Sequence, residues 1–192
     1  MPRECPNACS RALSTLVVAA ILLPGPLAAT AVAGPPAVAS AIEISDPWSA
    51  PDRMQRIDAV IDRARAQIGT PYAWGGGGAQ GPGPGIRDGG IADEHRDYEK
   101  VGFDCSGLMV YSFASAGIRL PRYSGHMLHA GPRVPVAAAQ RGDLLFWGEG
   151  GRDHVALYLG GETVLEAPFS GGHVRIAPLD RTGLLPFAVR MI

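Results

Sequence analysis

The side chain with the clearest chemical potential is Cys105. It directly follows Asp104 and opens a run, residues 104–116, whose Leu108, Met109, Val110, Phe113 and Ala114 are apolar almost all round. That pattern predicts a buried helix closed by Gly117. Backbone N–H groups at a helix N-terminus favour negative charge, and a thiolate, not a thiol, is the effective nucleophile. The N–H of Cys105 is also placed to contribute to an oxyanion hole. Asp104 works against a neighbouring thiolate, so helix capping or substrate binding suits it better. An inert buried cysteine, packing as a small hydrophobe, is the bland alternative.

Thiol-based acyl transfer also needs an imidazole to pair with the thiolate and protonate the leaving amine. The chain has five histidines, at 95, 126, 129, 154 and 173. His95 falls in a charged stretch. His126 and His129 are three apart but lack further Cys or His at metal-ligand spacing, so no metal is expected. His154 opens an otherwise apolar β-type run, as a catalytic base would; a surface histidine at a strand start would look the same. Glu166 follows Val164 and Leu165 on the next run, where a carboxylate is expensive unless paired. It could orient the imidazole and stabilise its cation, or simply end the strand facing water.

The elements that must hold these residues are legible in outline. Met54, Ile57, Ile61, Ala64 and Ile68 repeat at three-four spacing, predicting an amphipathic helix. Ser49 and Asp52 suggest a capping box at its start, and Gly69 with Pro71 ends it. Residues 75–100, opened by four glycines and closed by a charged run, read as a long loop bordering the groove, functional or mobile. Those glycines lack phosphate-loop spacing. After a second loop, 118–141, β-type runs follow at 143–147, 154–159, 163–167, 173–177 and 187–191. Helices first and strands afterwards predict an α+β domain with an antiparallel sheet.

Composition sets the setting. The chain has 192 residues, 46% hydrophobic and 18% charged, with a formal net charge of −1, which argues against a nucleic-acid partner. Arg3 and Arg11, an apolar run at 13–23 and Ala31-Val32-Ala33 read as an export signal over residues 1–33. The apolar run is shorter than the ~20 residues of a spanning helix and is broken by Pro24, Gly25 and Pro26, so no stable membrane span is expected after cleavage. Residues 34–50, rich in Ala, Pro and Ser, read as a tether, leaving 51–192 as the domain. Cys5 and Cys9 leave with the signal, so Cys105 stands alone in an exported chain, where an unpaired thiol needs a function.

Five segments then form a recognisable series: Pro71-Tyr72-Ala73-Trp74-Gly75, Gly102-Phe103-Asp104-Cys105-Ser106-Gly107-Leu108, Arg141-Gly142-Asp143-Leu144, His154 to Gly160, and Leu165-Glu166-Ala167-Pro168. In this order they strongly resemble the NlpC-type peptidoglycan cysteine peptidases, and among them the Rip-type endopeptidases, over about residues 55–192. The resemblance implies a papain-like fold with the nucleophile helix packed on the sheet that carries the base. It implies Cys105 as nucleophile, His154 as base and Glu166 as third polar residue. It further implies Tyr72 beside the cysteine, and Asp104 and Ser106 lining the substrate groove. The implied reaction is hydrolysis of the D-glutamyl–meso-diaminopimelate bond of peptidoglycan stem peptides, without a cofactor, by a monomer secreted to the cell wall. A related cell-wall amidase, a non-catalytic wall-binding module and an exported effector are the rival readings.

Hairpin geometry tests the third residue. With a plain two-residue turn at Gly160-Gly161, His154 and Glu166 would point to opposite faces of the sheet. A three-residue connection that includes Glu162, or a bulge, brings Glu166 opposite Ala156 and onto the face of His154. An odd-length loop or a bulge is therefore expected.

Overall fold

A computed structural model of the chain describes residues 49–192. The expected signal segment, 1–33, and nearly all of the expected tether lie outside the described residues.

Helix α1 spans Ala50–Arg65 and buries Ile57, Val60, Ile61 and Ala64. Asp52 in its first turn and Arg63 and Arg65 in its last complement the helix dipole. Ser49 occupies the N-cap but its side chain makes no capping bond, so the expected capping box does not form. The helix also stops short of Ile68. The N–H groups of Gln67 and Ile68 bond to Ala64 and Arg65, three residues back, and the chain then turns at Gly69, whose φ is +89°. The tightened turn carries Ile68 out of the buried stripe, and Met54 is exposed at the other end.

Residues 75–100 hold more structure than their sequence suggests. A two-residue strand β1 (Gly83–Pro84) and a short helix α2 (Ile91–Glu94) precede β2 (Val101–Gly102), which pairs antiparallel with β1. Asp97, fully buried in a 3-10 turn, accepts from Trp74 N–H at 3.2 Å, Ser170 Oγ at 2.7 Å and Lys100 Nζ at 2.8 Å. A buried carboxylate without such donors would be costly, so this knot fixes the segment to the domain.

Helix α3 (Cys105–Ala114) follows, then the short α4 (Ser124–Met127). The strands are β3 (Arg133–Pro135), β4 (Leu144–Trp147), β5 (His154–Gly160), β6 (Thr163–Glu166), β7 (Arg175–Pro178) and β8 (Phe187–Val189). They form one six-stranded sheet in the order β3-β8-β4-β5-β6-β7, every pair antiparallel. Leu108, Met109 and Phe113 of α3 share a core with Leu144, Phe146, Val155, Leu157, Leu165 and Val189 of the sheet and with α1. Leu145, Ala156, Val164 and Ala188, from the alternate strand positions, pack in a second cluster with Trp147, Tyr158 and Leu184. The α+β arrangement, with the cysteine helix buried against the sheet, is the expected one.

Candidate active site

Asp104 caps α3 and organises everything around the thiol. Its Oδ1 accepts from Gly107 N–H at 2.6 Å, Ser106 Oγ at 3.1 Å and Arg122 Nη1 at 2.8 Å. Its Oδ2 accepts from Gly75 N–H at 3.0 Å and Arg122 Nη2 at 2.9 Å. Arg122 also donates to Ser106 Oγ and, at 2.7 Å, to the Gly76 carbonyl. The start of the glycine-rich segment is thereby tied to the first turn of α3. Gly107 makes this approach possible, because a Cβ there would run into the Gly76 carbonyl oxygen. Asp104 and Ser106 do face a cavity of about 330 Å³ beside Cys105, but both Asp104 oxygens are committed to internal donors.

Cys105, at 9% exposure, opens the helix, where first-turn N–H groups lack intrahelical partners. Its thiol is near enough to the His154 ring for its charge to act on the imidazole. His154 stands at the first position of β5, beside Trp147, its cross-strand partner, with ring centroids 5.2 Å apart. Its Nε2 lies 2.8 Å from Glu166 Oε2. An ionised carboxylate only accepts, so Nε2 carries a hydrogen and Nδ1 is left for Cys105. Burial works against a charged imidazole, but its interactions with Cys105 and Glu166 prevail and raise its pKa to about 9. For Glu166, burial opposes ionisation, but His154 and Arg175 pull its pKa below the ordinary carboxylate value.

The hairpin explains how the two meet. Leu157 pairs with Leu165 and Tyr158 with Val164, after which the register shifts and Gly160 pairs with Thr163. The turn proper is Gly161-Glu162, and a bulge at Leu159 supplies the odd residue that the alternation requires. Continued along β5, that register sets Glu166 opposite Ala156, one alternation from His154. Gly160, Gly161 and Glu162 all have positive φ; at +58°, Glu162 takes the left-handed conformation that a side chain ordinarily avoids.

Tyr72 is buried, and its backbone bridges to Phe103, one residue before Asp104. Burial first, then the negative charges of Cys105 and Asp104, push its phenol above the usual value, so it remains an O–H donor near the thiol. The other histidines do not join. His95, His126, His129 and His173 are exposed, with His126 edge-on to Tyr123 and His129 against Arg133.

Two arginines were not anticipated. Arg122 lies in a stretch without periodicity, so nothing marked it. Arg175 is the cross-strand partner of Glu166 on β7, and its Nε donates to Glu166 Oε1 at 3.0 Å. Alternation along β7 was readable, but the connection from Glu166 is too long to fix register by counting. A second cavity of about 420 Å³ lies on this side, lined by Trp147, His154, Glu166, Phe169 and Arg175 among others. One cavity thus borders Cys105 and the other borders His154.

Residues 69–191 match the NlpC/P60 family. The chain is 48% identical over 138 residues to the peptidoglycan endopeptidase RipB of Mycobacterium tuberculosis, covering 72% of this chain and 54% of that protein. It therefore spans about half the length of that relative. The solved structure of RipB superposes with a TM-score of 0.68 at 45% identity, covering 75% of this chain and 68% of that one. RipD from Mycobacterium tuberculosis, a non-catalytic NlpC/p60 domain protein adapted to peptidoglycan binding, superposes with a TM-score of 0.64 at 40% identity, covering 72% and 98%. With its thiol helix packed on the antiparallel sheet that bears His154 and Glu166, the chain belongs to the NlpC/P60 family.

Proposed function

We propose that this chain is a secreted peptidoglycan hydrolase that cleaves stem peptides at the D-glutamyl–meso-diaminopimelate bond. The single observation that carries the reading is the His154 imidazole, bonded through Nε2 to Glu166 at 2.8 Å and neighboured by the Cys105 thiol, with a cavity beside Cys105 and another beside His154. The thiolate of Cys105 attacks the scissile carbonyl carbon, and the C=O electron pair moves onto oxygen beside the Cys105 N–H. The pair returns as the C–N bond breaks, and the His154 imidazolium gives its proton to the leaving amine. A water, deprotonated by His154, then hydrolyses the thioester and restores the thiol. Glu166 keeps the imidazole oriented and stabilises its charge. Tyr72 and Ser106 border the reacting centre, whereas Asp104 serves mainly to hold the helix start, Arg122 and the Gly75 segment together.

RipD is the reason to consider a wall-binding module instead. A pure binder has no use for a buried imidazole aligned between a thiol and a carboxylate, and that alignment favours catalysis. Digestion of diaminopimelate-type peptidoglycan by residues 40–192, with mass spectrometry of the products, tests both readings. Free termini at D-glutamate and diaminopimelate are expected, and the folded Cys105→Ala variant should release none. Cleavage between glycan and peptide would make the chain an amidase. Binding without products would make it a module of the RipD kind.

A further inference from the structure

We infer that Arg175 is a positioning residue for catalysis, acting on the His154 imidazole through Glu166; this rests on the proposed hydrolytic reading of the same site. Glu166 has two oxygens with separate duties. Oε2 holds His154 Nε2 at 2.8 Å, and Oε1 is gripped by Arg175, whose Nε and Nη2 each lie 3.0 Å away. A carboxylate on a single-bonded stem can rotate, and a bond to one oxygen alone leaves that rotation open. Two guanidinium donors on the other oxygen close it and fix the direction in which Oε2 points.

The placement follows from strand register. Arg175 stands directly across from Glu166 on β7, the edge strand of the sheet, so arginine, carboxylate and imidazole form one line across β7, β6 and β5. The arginine is the exposed end of that line. Its side chain is 49% exposed, against 11% for Glu166 and 17% for His154. It also lies over the ring of Phe169, 5.5 Å from its centroid, in the connection between β6 and β7. A solvent-facing cation thus holds an almost buried carboxylate, which in turn holds the base.

Arg175 also borders the cavity on the His154 side, so contact with the leaving half of the substrate is the competing role. Kinetics on a purified muropeptide separate the two. Arg175→Met should lower kcat about tenfold with KM within about twofold of wild type, as for residues that share one hydrogen-bond network. Arg175→Lys, which can still pair with Oε1, should recover most of the loss. In a Glu166→Ala background, where nothing is left to position, Arg175→Met should change kcat by less than about twofold. An increase in KM with kcat intact would make Arg175 a substrate contact. An unchanged kcat, or a full tenfold loss in the Glu166→Ala background, would overturn the inference outright. Alkylation of Cys105 by iodoacetamide near pH 6 gives a readout independent of hydrolysis. It should slow several-fold in Arg175→Met and no further in Glu166→Ala carrying the same change. If wild type leaves muropeptides intact, the functional reading fails while alkylation still decides whether Arg175 positions the imidazole.

Discussion

Replacing Asp104 with alanine removes one carboxylate that donors from four residues share: Gly75, Ser106, Gly107 and Arg122. Loss of the N-cap bond to Gly107 costs about 1 kcal/mol. The Gly75 N–H, left without its acceptor beside the helix, adds about 1–3 kcal/mol. Stranding a fully buried charge would cost more, but the Arg122 side chain is 39% exposed and can turn to water, which reduces its share to about 1 kcal/mol. The total is a loss of about 3–5 kcal/mol, or roughly 10 °C in Tm for a domain of this size. Asp104→Asn keeps one acceptor oxygen for Gly107 but presents an NH₂ to the other donors, so it should lose about half as much. Urea unfolding followed by tryptophan fluorescence measures both variants. An Asp104→Ala protein within about 1 kcal/mol of wild type would show that the carboxylate does not organise the site, and a rise in KM without loss of stability would return it to the role of substrate contact.

Two further outcomes are expected. The folded chain holds the His154 proton up to about 9, whereas an unperturbed imidazole releases it near 6.5. The resulting stabilisation is complete below 6.5 and is lost as pH rises through about 9; kcat/KM should fall over the same alkaline limb as the leaving amine loses its proton donor. Unfolding free energies and rates between about pH 6 and 10 check this, and stability rising across that window would refute it. Glu162→Asn should raise stability by about 0.5–1 kcal/mol, because Asn tolerates the left-handed turn conformation better. The Glu162–Arg181 pair it removes is 60% exposed on both sides and contributes little; a loss of more than about 1 kcal/mol would show that this pair, not the turn, dominates.

What could be read in the sequence was whatever depends on local periodicity and on counting. Cys105 stood out because the other two cysteines precede the apolar leader-like run, and the apolar surround of α3 announced a buried helix. The face shared by His154 and Glu166 followed from strand alternation, which demanded an extra residue before the turn; the bulge at Leu159 provides it. Contacts between distant segments stayed hidden. Asp97 sits in a run of charges, yet it is fully buried, because Trp74 and Ser170, from distant parts of the chain, join the nearby Lys100 in donating to it. Arg122 and Arg175 carry no local mark, since their meaning lies in the partners the fold brings to them. The early end of α1 is a similar case. The apolar spacing continues to Ile68, but the Gly69 N–H is taken by the carbonyl of Val174, just before β7, and the chain leaves the helix to meet it.

Strand order also has a consequence in time. The thiol helix α3 is made well before β5 and β6, and β8, the last strand of all, inserts between β3 and β4 instead of adding to an edge. In a chain made N-terminus first, β4 to β7, which carry His154 and Glu166, can pair with one another before Phe187–Val189 arrive, whereas β3 has no partner in the sheet until they do. The last strand thus joins the two parts of the sheet, tying β3 to the strands that carry His154 and Glu166.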